Sequence, residues 1–280
     1  MIITLTGLSG FIGRALADRF VGCHQLQSFS LRSTQPLQTC DAVIHLAGEP
    51  IAQRWTAAAK RRIRESRIEG TRRLIAGLAA LPSPPKIFIC SSAVGFYGSR
   101  GDEILTEASP PGVGFLAELC VEWERAADEA QALGMRVVKL RTGVVLGRDG
   151  GALKRMLPAF CLGLGGRLGS GRQWMPWIHL DDHLDLVEFA LAQSGVSGPL
   201  NAVAPNPVTN REFTATLARA LGRPAFLPAP AFALRAMFGE MACVLLASQR
   251  VIPRAALDAG FVFRHPELGP ALQDILRSNK

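Results

Sequence analysis

Thr6-Gly7-x-x-Gly10-x-x-Gly13 carries the first chemistry legible in this sequence. It follows a short apolar run rich in β-branched residues, Ile2 to Leu5. It leads straight into a helical pattern with Ile12, Leu16 and Phe20 four apart. A strand, a glycine turn and a helix in that order bind an anion, because the N–H groups of the turn and of the helix N-terminus converge on one spot. Gly7 permits the tight turn, Gly10 lets a pyrophosphate reach the backbone, and Gly13 lets helix and strand pack closely. Thr6, Ser9, Phe11 and Ile12 complete the segment expected to contact a dinucleotide. Three glycines alone are a weak signal; directly after a strand they are a strong one. Further along, Ser92, Tyr97, Glu118 and His179 (with Asp182 nearby) are side chains that could supply or move a proton. Arg141 could bind an anionic substrate or a cofactor phosphate, or form a buried salt bridge.

The elements that must position these groups alternate between strand and helix. A second strand, Leu26 to Leu31, leads to Arg32 and Ser33. The end of this strand selects the cofactor, since an acid binds the ribose 2′-hydroxyl of NAD and a base accommodates the 2′-phosphate of NADP. No Asp or Glu occurs between Asp18 and Asp41, so Arg32 and Ser33 favour NADP. The third strand, from Asp41, exits through Leu46, Ala47, Gly48 and Glu49, where Ala47-Gly48 is a side-chain-poor ledge for a cofactor. His45, inside that strand, reads as a core histidine. A long helix at 55–81 carries an apolar stripe of Ala59, Ile63, Gly70, Leu74, Leu78 and Leu81, and Pro82-Ser-Pro-Pro85 stops it. The fourth strand, Lys86 to Cys90, delivers Ser91 and Ser92 to the carboxyl edge, where such sheets bind ligands. A helix at 114–133 and a strand at 136–140 follow, the latter leading to Arg141.

This alternation predicts an α/β fold, a Rossmann doubly wound parallel sheet, over residues 1–147. Elements near 181–204 complete it. Residues 148–280 are expected to form a smaller C-terminal substrate domain, with 250–280 its terminal subunit. Glycines 150 to 171 predict an irregular stretch, a long binding loop or a hinge, ending in Trp174-Met-Pro-Trp177-Ile-His179. A helix at 181–193 should be N-capped by Asp181 or Asp182. A strand at 198–204, a helix from Thr209 to Gly222 and an apolar helix at 231–248 complete the reading.

Composition limits the function classes. The 280 residues are 48% apolar, enough for a full core. Lys and Arg outnumber Asp and Glu by 31 to 23, a net charge of +8, and many of the bases lie between Lys60 and Arg73. That run also holds Glu65 and Glu69 and has no interleaved aromatics, so it reads as a solvated helix face, with nucleic acid the weakest partner reading. The best candidate membrane span, 229–248, contains Arg235 and Glu240 and reads as a buried helix, so no membrane partner is expected. A strand starting at residue 2 leaves no room for a leader, and six scattered cysteines without a CxxC pair suit a reduced cytoplasmic protein with no metal site.

Several motifs carry a resemblance: Ser66-Arg-Ile-Glu-Gly-Thr71, Ser92-Ala-Val-Gly-Phe-Tyr-Gly98, Phe115-Leu-Ala-Glu118, Leu140-Arg-Thr-Gly-Val-Val-Leu-Gly147, Leu164-Gly-Gly-Arg-Leu-Gly-Ser-Gly171 and Trp177-Ile-His-Leu-Asp-Asp182. With the opening glycine turn, they make the chain resemble an extended short-chain dehydrogenase/reductase. It is most similar to the atypical YfcH-like branch of the NAD-dependent epimerase/dehydratase superfamily, with that branch's small C-terminal domain of unknown function. The resemblance implies NAD(P) bound to a Rossmann domain, a small-molecule substrate and the name of nucleoside-diphosphate-sugar epimerase. Extended relatives often form a homodimer through the helices at 55–81 and 114–133, although the charge on the first weighs against it here.

The chain departs from the superfamily in one respect that sequence alone decides. Standard members use Tyr-x-x-x-Lys, in which the lysine lowers the tyrosine pKa for proton transfer. Here Tyr97 is the single tyrosine, and position 101 is Gly. Leu116 and Cys120 fall where the dyad belongs. Two readings follow: an NADP-dependent oxidoreductase or epimerase with a non-standard acid (Ser92, Tyr97, Glu118 or His179), or a non-catalytic NADP-binding sensor or scaffold. The missing dyad favours the second, and the polar segment with Trp174, Trp177 and His179 favours the first.

Overall fold

A computed structural model of the chain describes residues 1–32 and 36–277. The order of elements is β1 (Ile2–Thr6), α1 (Phe11–Phe20), β2 (Gln25–Phe29), β3 (Ala42–His45), α2 (Ala57–Ala79), β4 (Ile87–Ala93), β5 (Ile104–Leu105), α3 (Phe115–Asp128), β6 (Arg136–Thr142) and β7 (Val144–Leu146). The chain continues through α4 (Gly151–Cys161), β8 (Trp174–Met175), β9 (Trp177–His179), α5 (Leu180–Ala192), β10 (Gly198–Ala202), β11 (Val208–Thr209) and α6 (Asn210–Leu221). It ends with α7 (Ala231–Phe238), α8 (Ala242–Leu246), β12 (Arg250–Val251), α9 (Arg254–Asp258) and α10 (Leu268–Arg277).

Among the described residues, six strands form a sheet in the order β10-β6-β4-β3-β1-β2. Every neighbouring pair is parallel. The sheet is the doubly wound Rossmann-like one expected, and β10 is its sixth strand. The chain runs from β1 to its neighbour β2, then crosses back over β1 to β3. The direction of winding therefore reverses between β1 and β3, which opens a crevice at their carboxyl ends. The strands are buried on both faces, so they read as apolar runs rather than alternations. Leu5, Leu16, Phe20, Ile44 and Ile89 pack with α5 and the segment around Phe261 on one face. Val43, Leu74, Leu78, Phe88 and Trp123 pack with α2 and α3 on the other. Full burial of a side chain such as Phe88, at 0% exposure, contributes about 1.5–3 kcal/mol.

Local signals explain most element ends. Thr56 Oγ1 accepts the Ala59 N–H at 3.1 Å and starts α2. Thr209 and Glu212 form a reciprocal capping box at α6, and Gly222 ends that helix in a left-handed conformation. Three expectations need correction. The glycine-dense stretch is irregular only from residue 162 onward, because its first part forms α4. Its glycines serve packing: a Cβ on Gly150 would lie 2.2 Å from the Phe11 ring, one on Gly165 would lie 2.6 Å from the Phe160 ring, and one on Gly166 would lie 1.8 Å from Leu227 O. The apolar helix at 231–248 is broken into α7 and α8 by Gly239, whose φ is 60°. Neither Asp181 nor Asp182 caps α5; His179 does, through Nδ1 accepting the Asp181 N–H at 3.0 Å.

The second half of the chain covers the sheet's carboxyl edge. α4, α6 and α10 share a core with Leu146 and Trp177. Residues 239–249 form a strap, pinned at its end by Ser248 and Gln249. Ser248 Oγ donates to Gly101 O at 2.7 Å and accepts from Trp174 N at 3.1 Å, and Gln249 Nε2 donates to Val94 O at 2.7 Å. β12 beside it pairs with β5 in parallel.

Candidate active site

The carboxyl ends of β3, β4 and β6 open onto a cleft of about 1120 Å³, larger than an ordinary small-molecule site of roughly 300–1,000 Å³. Ile12, Leu46, Arg67, Ser91, Ser92, Thr142 and Gly143 line its sheet side. Phe115, Leu116 and Cys120 of α3, Trp174 and Met175, and the strap enclose the remainder.

The opening turn adjoins this cleft and suits a dinucleotide phosphate. A Cβ on Gly13 would lie 2.3 Å from Gly7 O, and one on Gly7, whose φ is 78°, would lie 2.8 Å from the Leu46 carbonyl carbon. Both positions therefore need glycine for close approach within the fold. Gly10 is the N-cap of α1, and the helix end has neither a capping side chain nor an acid in its first turn. Its first N–H groups lack intrahelical partners and are available to an anion. Ser9 and Gly10 are exposed, and Phe11 is held in the pocket made by Gly147, Gly150 and Gly151. Thr6 Oγ1 meets His45 Nδ1 at 2.7 Å and accepts from Ala47 N at 3.3 Å, tying β1 to the ledge after β3. His45 Nε2 meets Thr71 Oγ1 at 3.0 Å, and burial, with Arg67 adding to it, lowers the His45 pKa to about 4. His45 is the expected core histidine. Glu49 donates its N–H to Ser66 Oγ at 3.0 Å. β2 stops at Phe29, earlier than expected, so exposed Arg32 follows a short turn. Ser33 lies outside the described residues.

Behind the cleft is a buried polar network. Ser92 Oγ donates to Glu124 Oε1 at 2.7 Å. Glu124 accepts two bonds from Arg141, Nε to Oε1 at 2.8 Å and Nη2 to Oε2 at 2.9 Å. Arg141 Nη1 donates to Tyr97 Oη at 3.0 Å and to Glu107 O at 3.2 Å, and its guanidinium carbon lies 3.5 Å from the Phe96 ring centre. Tyr97 Oη donates in turn to Asn201 Oδ1 at 2.7 Å. Tyr97 is 0% exposed, and burial pushes its hydroxyl pKa up. Of the two roles open to Arg141, the structure gives it the buried salt bridge. Neither Arg141 nor Tyr97 lines the cleft. Glu124 and Asn201 were not legible as members of this site. Glu124 reads as one acid among several on an amphipathic helix until β4 and β6 bring Ser92 and Arg141 to it.

Arg67 also escaped the sequence reading, which placed it in the solvated basic run. Its neighbours fit that reading: Lys60 pairs with Glu240, Arg64 with Glu122, and Arg72 with Glu69 and Glu129. Arg67 instead points inward. It donates to the backbone carbonyls of Glu49 at 2.9 Å and Ile63 at 3.3 Å, and lies over the Trp123 ring at 5.0 Å. No described carboxylate lies within salt-bridge reach of it, and burial lowers its pKa to about 10. A signal existed, since Arg67 sits four residues after Ile63 and three before Gly70, inside the apolar stripe of α2.

The remaining proton-transfer candidates separate. Ser91 and Ser92 line the cleft, as do Leu116 and Cys120 at the positions of the missing dyad; burial pushes the Cys120 thiol up to about 11. Glu118 is exposed and outside the cleft, because α3 turns Ala117, Leu119 and Cys120 inward instead. His179 is also outside it. Its Nδ1 accepts the capping bond, which leaves the ring proton on Nε2, 3.4 Å from Asp274 Oδ2. The ring stacks on His265 at 3.8 Å. Asp182 accepts the backbone N–H groups of Arg264 at 2.7 Å and His265 at 3.0 Å, so it fastens the C-terminal segment.

A Rossmann sheet with an open glycine turn at its switch point and a covered cleft beside it defines a nucleotide-binding class of protein, and comparison with known proteins narrows the class. Residues 3–202 match the model of the NAD dependent epimerase/dehydratase family, and residues 229–275 match a domain of unknown function, DUF1731. An epimerase family protein of Mycobacterium bovis is 45% identical, with 97% of this chain and 96% of that protein covered. The crystal structure of human epimerase family protein SDR39U1 with NADPH superposes with a TM-score of 0.93 at 37% identity, covering 99% of this chain and all of that one (100%). A nucleoside-diphosphate sugar epimerase from Corynebacterium glutamicum gives a TM-score of 0.79 at 35% identity, covering 98% of this chain and 58% of that one. The chain belongs to the NAD dependent epimerase/dehydratase family.

Proposed function

We propose that this protein is an NADPH-dependent oxidoreductase of the short-chain type with a non-standard active site. The observation that carries the reading is the open glycine turn beside a cleft too large for one small ligand. Gly7, Gly10 and the N-terminus of α1 would hold the pyrophosphate, Arg32 the 2′-phosphate, and Leu46 to Gly48 the face of the cofactor. The human relative crystallised with NADPH supports the same choice of cofactor. The bound cofactor supplies hydride chemistry. The parts of 148–280 outside α5 and β10 act as a cover, with Trp174, Met175 and the strap shielding a small substrate from water. All six cysteines are free, in keeping with action in a reducing compartment such as the cytoplasm.

Tryptophan fluorescence titration with NADPH and NADH tests the reading. Tighter binding of NADPH is expected, with Arg32→Asp abolishing the preference; an unchanged preference in that variant contradicts the role of Arg32. A second reading, a non-catalytic NADPH sensor, is favoured by one observation: the single tyrosine is locked between Arg141 and Asn201. Oxidation of bound NADPH by an added acceptor in stopped flow separates the two, because a sensor would leave the cofactor reduced.

A further inference from the structure

The substrate half of the cleft is unlike a nucleotide-sugar site. Trp55, Phe115, Leu116, Trp174, Met175 and Leu246 form an apolar, aromatic-rich wall. The charged side chains lining the cleft are Arg67, Arg235 and Glu240. The last two are exposed on the covering segment, and Glu240 pairs with Lys60. One inward cation is a poor match for a second pyrophosphate.

Proton supply is equally restricted. Among the described residues, the cleft is lined by no His or Asp, and its one Glu is exposed. Ser92 commits its proton to Glu124. Hydride addition to an isolated carbonyl produces an alkoxide, a base about as strong as hydroxide, whose conjugate acid is as weak as water. Without a matched donor that addition is slow. An acceptor that spreads the charge over a conjugated ring gives a phenolate-type anion, whose pKa of about 10 is that of tyrosine. Such an anion needs an electrostatic partner rather than an acid, and Arg67 is that partner: a guanidinium on the cleft wall with no described carboxylate within salt-bridge distance, the Glu49 charge acting on it only from further off.

We propose that the substrate class is a planar, apolar, conjugated acceptor of the quinone type, held between the aromatic walls with an oxygen against Arg67. The proposal rests on the NADPH reading above. The acceptor takes up a hydride, two electrons and one proton, from the reduced nicotinamide, which is oxidised to NADP+. The resulting quinol anion faces Arg67, and the second proton comes from water.

Trp55, Trp123 and Trp174 line the cleft and report its occupancy. The test titrates 1,4-naphthoquinone into the full chain saturated with NADP+ while following tryptophan emission. It then mixes the NADPH-loaded protein with the same quinone and with 4-nitrobenzaldehyde, and the NADP+-loaded protein with UDP-glucose, whose alcohols can only give up a hydride. Saturable quenching is expected, with kcat/KM for the quinone roughly tenfold or more above the other two. That rate should be flat from about pH 6 to 9, because no enzymic acid is titrated. Arg67→Met should lower quinone affinity and kcat/KM by about tenfold, with Arg67→Lys retaining part of both. Absence of saturable quenching in a chain that binds NADP+, faster turnover of the aldehyde or of UDP-glucose, or a rate that falls steeply between about pH 6 and 9 overturns the proposal, whereas a fall only near pH 10, where Arg67 loses its charge, supports it. Failure to bind NADP+ overturns the preceding reading instead. If Arg67→Met does not fold, the wild-type titration and Arg67→Lys still decide.

Discussion

Two arginines reach α3 at the carboxyl edge of the central sheet, Arg141 at Glu124 and Arg67 at Trp123, and the fold treats them differently. Arg141, on β6, is held by a bidentate carboxylate, a phenol, a carbonyl and an aromatic face. Arg67, on α2, has two carbonyls and an indole but no described carboxylate. The first charge is neutralised behind the cleft and joins three strands and a helix through Ser92, Glu124, Tyr97 and Asn201. The second reaches the cleft with its charge intact. A half-buried cation with no carboxylate in contact is costly to fold around, so the contrast marks Arg67 as the residue kept for a ligand and Arg141 as the residue kept for the fold. Tyr97, a proton-transfer candidate in the sequence, here falls on the side of the fold, and Ser92 lines the cleft with its proton committed to Glu124.

Substitution tests that division. The largest effect is expected for Arg141→Met, which leaves Glu124 buried without its partner. Unfolding in urea should show a loss of about 3–5 kcal/mol. Arg67→Met should change stability by no more than about 1 kcal/mol, because the lost carbonyl bonds are offset by relief of an uncompensated desolvation. Equal losses in the two variants would erase the distinction.

Much of the sheet and the glycine turn was legible because their chemistry is local. Three glycines at fixed spacing constrain one turn, and apolar runs of β length mark strands buried on both faces. What escaped depended on partners distant in sequence. α4 was hidden because Gly150 and Gly151 looked like loop residues, although Phe11 fills the space their missing side chains leave. His179 looked like a proton shuttle because an acid follows it, yet its Nδ1 is occupied in capping α5. Glu118 and Glu124 are indistinguishable by type on one helix. Only the register of α3 against β4 and β6 buries the second and exposes the first. Arg67 was lost in a charged run where its position on the apolar stripe was the distinguishing mark.

The smallest effect is the most direct reading of the Arg67 charge, and His45 reports it. Burial first, and the Arg67 charge second, hold the His45 pKa at about 4, below the ordinary ~6.5. The ring is therefore neutral in the folded protein. Its contribution to stability is complete above about pH 6.5 and is lost as pH falls from there toward 4, with a slope of at most ~1.4 kcal/mol per pH unit. Removing the Arg67 charge should raise the folded pKa and narrow that window. The deciding measurement is an NMR titration of the His45 ring in the wild type and in Arg67→Met. The account predicts a midpoint at higher pH in the variant, with the fold retained. An unchanged or lower midpoint would show that the Arg67 charge is already neutralised, and the contrast with Arg141 would fall.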